Sequence, residues 1–399
     1  MKQENKATLS TNVLLLGIVS FLNDVSSEMI HPILPLFVIA VGGTGLIVGL
    51  IGGLQESIAS IFEVFSGYWS DRLGKRKILV FGGYFASACF KLLLAFAVIW
   101  QHIVFFASFE RVGKGVRTAP RDAIIADSMP NARGRGFGIH RALDTLGAIC
   151  GSITVLLLLY VLWREHDPLA FYQQVILIAA VIAFVSLLPL YVVREPKRAP
   201  QVRSLQISLR RLHKPLKLFI IVATVFALAN FTYMFFILKA LESFAPSGHL
   251  QSIALTISLY VLFNIFYALF ALPFGTLSDR IGKRSVLIGG YALFSVTCLG
   301  FAFSESLSAF LVLFPLYGLV YAMIEGNQRA FASDWSVEGL RATALGTFHT
   351  MIGLAKLPAS LIAGLLWEIT PAHELTFLFG SAVSILAVLL FLYYGTYFQ

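Results

Sequence analysis

Charge is what this 399-residue chain has least of: Asp, Glu, Lys and Arg make up 13% of it, against 58% apolar residues and a mean hydropathy of +0.81. Soluble domains carry about twice that charged share. An ordinary soluble fold is therefore excluded and a polytopic membrane protein is left. Cysteine is also scarce: Cys89, Cys150 and Cys298 stand far apart inside apolar runs and read as packing residues, not as a disulfide or metal set. Phosphate-loop and metal-ligand spacings are missing, so neither ATP-driven pumping within the chain nor a cofactor or metal is expected. Nothing resembles a cleaved leader, because the polar residues 1–11 run straight into an apolar stretch too long for one. The net charge of +9 would suit nucleic acid, but Lys- and Arg-rich cytoplasmic loops account for it, and no nucleic-acid partner is expected.

What the chain does have is long apolar runs. A hydrocarbon core of about 30 Å needs roughly 20 residues of helix, and twelve such runs fall at 12–40, 44–70, 78–98, 102–127, 136–163, 172–193, 216–241, 251–277, 285–304, 308–330, 342–367 and 373–396. Helices are expected because every backbone polar group in lipid must be satisfied internally. If the spans alternate in direction, the basic segments 71–77, 133–135, 194–214 and 280–284 share one side, while 41–44, 243–249 and 304–308 on the other are nearly free of Lys and Arg. Both termini are then cytoplasmic in a multi-pass protein of the inner (plasma) membrane. Segment 194–215, with Arg203, Arg210 and Arg211, reads as a linker between halves 1–193 and 216–399, either solvated or lying on the anionic leaflet.

The chain also repeats itself. Residues 67–79, with Gly67, Asp71, Arg72, Gly74 and Arg76, return as 275–287, with Gly275, Asp279, Arg280, Gly282 and Arg284; the two Asp residues are 208 positions apart (279 − 71). At the same offset Arg121 meets Arg329, Arg133 meets Arg341, Gly138 meets Gly346 and Glu56 meets Asn264. The pattern Gly-x-x-x-Asp-Arg-x-Gly followed by two basic residues, between spans 2 and 3 and again between spans 8 and 9, resembles the signature loop of the major facilitator superfamily of secondary transporters.

That resemblance covers about residues 12–396. It implies an all-α membrane protein with twelve transmembrane helices in two pseudo-symmetric six-helix bundles, and a substrate site between them near the midplane. It implies no enzyme activity, a small-molecule solute and protons as partners besides the bilayer, and a monomer. The loop Asp is expected to help close the cytoplasmic side by meeting basic side chains and a helix N-terminus of the other half. Asp127 and Asp334 are the expected partners of the loop cations. The plainer alternative, preferred for Lys75, Lys77 and Lys283, is that these charges only set topology.

Charges inside the spans are functional candidates by default, since burying them in hydrocarbon is costly. Span 1 carries Asp24 and Glu28 on one helical face, with Asp24 roughly 18 Å from the cytoplasmic start; each is a candidate proton carrier or a fixed ion-pair member, as is Glu56. Span 4 holds Glu110, Arg111, Lys114, Arg117, Arg121, Asp122 and Asp127. Arg111 falls at the arginine of the superfamily's span 4 motif, which implies a part in proton coupling or substrate binding. Lys114, Arg117 and Arg121 form one stripe and point either to an anionic or zwitterionic substrate or to internal salt bridges.

Span 5 has Gly138, Gly147 and Gly151 at a spacing similar to the antiporter motif of exporters in this superfamily, with Ser152 where a Pro usually follows. Close helix packing is the alternative use of these glycines. His140, Arg141 and Asp144 form either a proton relay or a static pair. In the second half Asn230 and Tyr233 on span 7, and Glu325, Asn327 and Arg329 on span 10, are candidates for substrate contact or gating. Lys239 is expected to snorkel. His349 and Lys356 on span 11 either line the cavity or pack internally. Glu325 occupies the repeat position of Arg117, so a bridge between them is expected in one conformer.

The expectation is a secondary active transporter that moves a small anionic or amphipathic solute by alternating access, proton-coupled, with efflux favoured by the span 5 glycines. The alternatives are a passive uniporter, a transport-incompetent sensor or assembly partner, and a lipid-headgroup enzyme, for which no nucleophile is evident.

Overall fold

In the computed structural model the described residues are 10–130, 132–163, 167–195, 212–336 and 341–398. Most of segment 194–215, including Arg203, Arg210 and Arg211, lies outside them, and so do the side chains of Arg133 and Arg341. Among the described residues the helices form twelve spans. Six are Thr11–Ile30 with Leu34–Ala40, Gly45–Leu73, Arg76–Leu94, Trp100–Ser128, Arg133–Leu162, and Pro168–Val185 with Leu188–Val192. The other six are Lys214–Ala229 with Met234–Phe244, His249–Ile281, Lys283–Phe303, Leu307–Asp334, Arg341–Trp367 and Glu374–Tyr393. Eleven of them are long and apolar enough to cross a membrane. The exception is span 4, Trp100–Ser128, whose 29 residues suffice in length but carry too much charge.

Spans 1 and 7, expected as unbroken runs, are each interrupted. In span 1 the break at residues 31–33 has a direct cause: Pro35 lacks the N–H that would bond the His31 carbonyl four residues back. The Tyr233 hydroxyl donates to that carbonyl instead, at 3.3 Å. In span 7 the helix opens at Asn230, whose carbonyl accepts from Lys356 Nζ at 2.7 Å, while Ser360 Oγ accepts from the Thr232 amide at 3.1 Å. Backbone freed inside a bilayer must find such partners.

The two sets of six spans meet most tightly along spans 2 and 11, where small residues let backbones approach. A Cβ added to Gly53 would sit 2.8 Å from Leu357 Cα. Gly49 abuts the Ser360 carbonyl, Gly45 abuts Trp367, and Ser57 Oγ donates to the Gly353 carbonyl at 2.6 Å. Towards the signature loops the two sets separate: Gly346 keeps only Val64 at 3.7 Å, and Gly275 has no neighbour within 4 Å. Polar contacts between described residues of the two sets run from the mouth opposite the loops inward to Arg141 and Glu325, and none joins one signature loop to the other. The structure is therefore closed at the mouth distal to the loops and open on the loop side.

That distal mouth is built on Trp367, which stacks on His373 at 3.9 Å, beside a cavity of about 380 Å³ lined by Thr44, Gly45, Glu242, Glu368 and His373. Lys239, expected to snorkel, is held here instead. Only 3% exposed, it donates to the Ala372 carbonyl at 3.0 Å and meets Glu305 at 3.4 Å.

Candidate functional site

Span 4 is polar because it faces the opening between the two sets of spans, where charge can find partners or water. The charges at the bottom of this opening fall into three clusters.

In the first, the carboxyl groups of Asp24 of span 1 and Asp144 of span 5 act on each other, and Asn23 Nδ2 donates to Asp24 at 3.4 Å. Like charges brought together in this way repel when both are ionised. Arg141 lies 3.4 Å from Asp144. Lys114 is exposed to the same opening, acts on both Asp24 and Glu56, and makes no ion pair among the described residues.

The second cluster ties the two sets together at Glu28. One carboxylate oxygen meets His31 Nδ1 at 3.0 Å. The other accepts from Tyr260 OH at 2.8 Å and from Asn264 Nδ2 at 3.2 Å. Asn264 also donates to Ser152 Oγ at 2.9 Å, so the serine that replaces the expected proline anchors span 8 to span 5. Arg111 Nη2 lies 2.7 Å from His31 Nε2, and its Nε is 3.3 Å from Glu110.

The third cluster joins span 5 to span 10: Arg141 meets Glu325 at 3.6 Å, with the Tyr267 hydroxyl bonded to both, and Arg329 holds the other Glu325 oxygen at 2.6 Å. Glu325 therefore does bridge across, but to Arg141 and not to Arg117. Arg117 is only 4% exposed; it bonds Ser87 Oγ at 2.6 Å and lies over the Tyr84 ring at 4.4 Å. Turned into the first six spans, it is out of Glu325's reach.

Other expected positions are also corrected. Arg121 pairs with Asp122 at 3.0 Å and donates to Ser20 Oγ at 3.1 Å, again inside the first six spans. His140 bonds Ser20 Oγ at 2.8 Å rather than Asp144, whose carboxyl meets Arg141. Asn327 is buried and donates to its own helix at the Met323 carbonyl, 2.8 Å away. Asn230 and Tyr233 border the opening at the span 7 break, where Tyr233 reaches span 1.

The signature loops were expected to reach across to the opposite half, and in this conformation they do not, because the loop side is open. Arg76 bonds Asp127 at 2.6 Å and Asp71 at 3.4 Å, all within the first six spans. Gly74 ends span 2 with φ 63°, a left-handed turn that glycine allows without strain. Arg72 donates to Tyr68 OH at 3.4 Å. Near Gly282 (φ 89°), Lys283 bonds Asp334 at 2.7 Å and Arg284 donates to the Gly395 carbonyl at 3.2 Å, while Asp279 and Arg280 stay exposed. Lys283, read from sequence as a mere topology charge, thus has a specific partner.

His31, Tyr260 and Tyr267 were missed. The His-Pro step at 31–32 inside an apolar run was the one signal that could have found the first of these. The tyrosines look like any other aromatic until the fold sets them opposite Glu28 and Glu325.

An all-helical bundle of twelve spans, broken at spans 1 and 7 and charged where its two sets face each other, defines a membrane transporter. The Major Facilitator Superfamily model matches residues 16–247 and 218–397, and the chain belongs to that family. It is 52% identical to an uncharacterised MFS-type transporter of Methanocaldococcus jannaschii, over 98% of this chain and 96% of that protein. It is 28% identical to the multidrug resistance protein MdtG of Salmonella arizonae, over 67% of each chain. A mutant of the nucleoside transporter NupG has the same fold, with a TM-score of 0.80 at 17% identity over 96% of this chain and 99% of that one. The chain is thus a multi-pass membrane transporter, not an enzyme.

Proposed function

We propose that this transporter moves a small anionic or amphipathic solute by alternating access, coupled to protons through the Asp24 and Asp144 carboxyl pair. What supports this reading is the pair itself: two carboxyl groups of spans 1 and 5 that act on each other, with Lys114 acting on Asp24. A carboxyl pair releases or takes up a proton as its neighbours move, and Arg141 and Lys114 are the neighbours able to move. An anionic group fits Lys114, the cavity cation without an ion pair among the described residues, and Arg329, which is exposed. In this reading halves 1–193 and 216–399, joined by 194–215, rock about the Glu28 and Glu325 contacts. The signature loops face the cytoplasm of the inner membrane, in line with their Lys and Arg content, so both termini do too and the present conformation is inward-open. The relation to MdtG and the span 5 glycines favour efflux in exchange for protons.

The test is solute-linked proton movement in proteoliposomes, read with an enclosed pH dye over a panel of organic acids and amphipathic drugs. A coupled transporter moves protons with at least one of them, and Asp24→Asn removes the proton movement while solute binding survives. Solute that equilibrates with no proton movement would make the protein a uniporter and sink the coupling assignment.

A further inference from the structure

His31 sits where span 1 breaks, held at both ring nitrogens. Arginine carries five N–H donors and no lone pair. The contact of 2.7 Å between Arg111 Nη2 and His31 Nε2 therefore requires Nε2 to be the acceptor. The single ring proton is then on Nδ1, donated to Glu28 at 3.0 Å. Glu28 in turn accepts from Tyr260 and Asn264 of span 8, so the tautomer is set by a chain of bonds that crosses between the two sets of spans.

We infer that His31 is a proton-binding site whose occupation is mutually exclusive with the docking of Arg111. A proton added to the Nε2 lone pair sets N–H against N–H at a distance where only one proton fits, and the guanidinium must leave. It has somewhere to go: its Nε already lies 3.3 Å from Glu110 without a formed hydrogen bond, and Glu56 of span 2 faces it. Span 7 contributes Tyr233, its ring 5.5 Å from the imidazole, and span 8 contributes Tyr260. The next cations are committed or further out. Lys91 of span 3 bonds Ser26 and Ser27, and Lys114 and Lys356 act on Glu56. Spans 5 and 6 present to this part of span 1 a glycine, Gly151, and the Ala179 carbonyl.

The consequence is a sign for the coupling. An anionic group in the cavity that draws Arg111 away from the ring favours the proton on His31, and the proton on His31 frees Arg111 for the anion. By linkage each raises the affinity for the other by the same factor, a sign that suits proton and anion moving together and counts against the exchange favoured by the span 5 glycines. The inference rests on the transport reading for its use, but the exchange is measurable without any solute.

The experiment is nitrogen-15 magnetic resonance of the full chain in lipid vesicles, with histidine and arginine both labelled. At pH 8 the histidine signal that vanishes in His31→Gln should be the tautomer with Nδ1 protonated and Nε2 bare, in through-space contact with a guanidinium. On acidification to pH 5 that signal should become imidazolium and the guanidinium contact should disappear with it. Should His31→Gln fail to fold, the ring-to-guanidinium contact in the wild type assigns the signal by itself. A pair of spin labels at Leu73 and Ile281, both exposed at the ends of spans 2 and 8, in a background free of the three native cysteines, reads the loop-side opening. Its change between pH 8 and pH 5 should fall at least fivefold in His31→Gln. A His31 ring protonated at Nε2 at pH 8, or a guanidinium contact that survives at pH 5, overturns the exchange, as does an undiminished pH response of the labels in His31→Gln. Solute flux with Asp24→Asn fails or succeeds independently of these readouts.

Discussion

The two signature loops share a sequence but not a set of partners. In the first, Arg76 is buried between Asp71 and Asp127, and the Glu195 carboxylate caps the amides of Arg76 and Lys77. In the second, the equivalent Arg284 has no carboxylate in contact among the described residues and instead donates to Gly395, in the final turn Tyr394–Phe398 that packs its Phe398 against Phe331, Trp335 and Phe391. The same contrast runs through the molecule. Buried charges crowd spans 3 and 4, whereas the second set is held by stacked rings: Phe226 on Tyr291 at 3.9 Å, Phe236 on Tyr317 at 4.2 Å. Duplication supplied one backbone twice. The first copy buries more charged side chains, and the second packs more rings on one another.

The largest test of that comparison is Arg76→Ala set beside Arg284→Ala. Removing Arg76 takes away the guanidinium that Asp71 and Asp127 share, and breaking a largely buried pair costs about 2 kcal/mol once the partial exposure of the two carboxylates is discounted. Losing one bond to a carbonyl costs about 1 kcal/mol. The midpoint of thermal unfolding in detergent should therefore fall clearly further for Arg76→Ala, and equal falls would refute the asymmetry. Next in size is Gly53→Val, which sets a side chain against the Leu357 backbone 2.8 Å away. It should depopulate the present conformation at least tenfold, read as a shortened distance between labels at Leu73 and Ile281; unchanged distances would mean that spans 2 and 11 separate elsewhere.

Deleting residues 394–398 should lower the midpoint further than Arg284→Ala, because the Phe398 ring leaves Phe331, Trp335 and Phe391 as well, but Arg284→Ala should add nothing once the segment is gone. Additive losses in melting experiments would show that Arg284 has another partner. The smallest effect concerns the distal mouth, where His373 meets Glu242 at 2.7 Å. Burial opposes a charge on this ring, but the bonds to Glu242 and to the Trp367 carbonyl outweigh it, and the His373 pKa is raised above the ordinary 6.5. A raised value means that the pair's contribution is complete below pH 6.5 and disappears as pH climbs through the higher folded value. With Glu242 half exposed that contribution stays under about 1 kcal/mol. His373→Gln should lower the melting midpoint more at pH 6 than at pH 9, where only the stack on Trp367 and the contact with its carbonyl are lost; an equal drop at both would assign His373 a packing role only.

Hydropathy and span length, being local properties, were enough to read the twelve spans, and the 208-residue offset was enough to read the duplication. The acids Asp24, Glu28 and Asp144 were visible for the same reason: a carboxylate in an apolar run is conspicuous one residue at a time. What stayed hidden was the pairing. Symmetry matched Glu325 with Arg117, yet the fold turned Arg117 onto Ser87 and brought Arg141 to Glu325. His31 drew no notice until the break at Pro35 exposed its carbonyl to Tyr233 and its ring to Arg111. A sequence determines which residues are costly to bury, because that cost belongs to the side chain. Only the tertiary structure decides which partner offsets it, because a few ångströms and one rotamer separate a bridge between halves from a bond inside one of them.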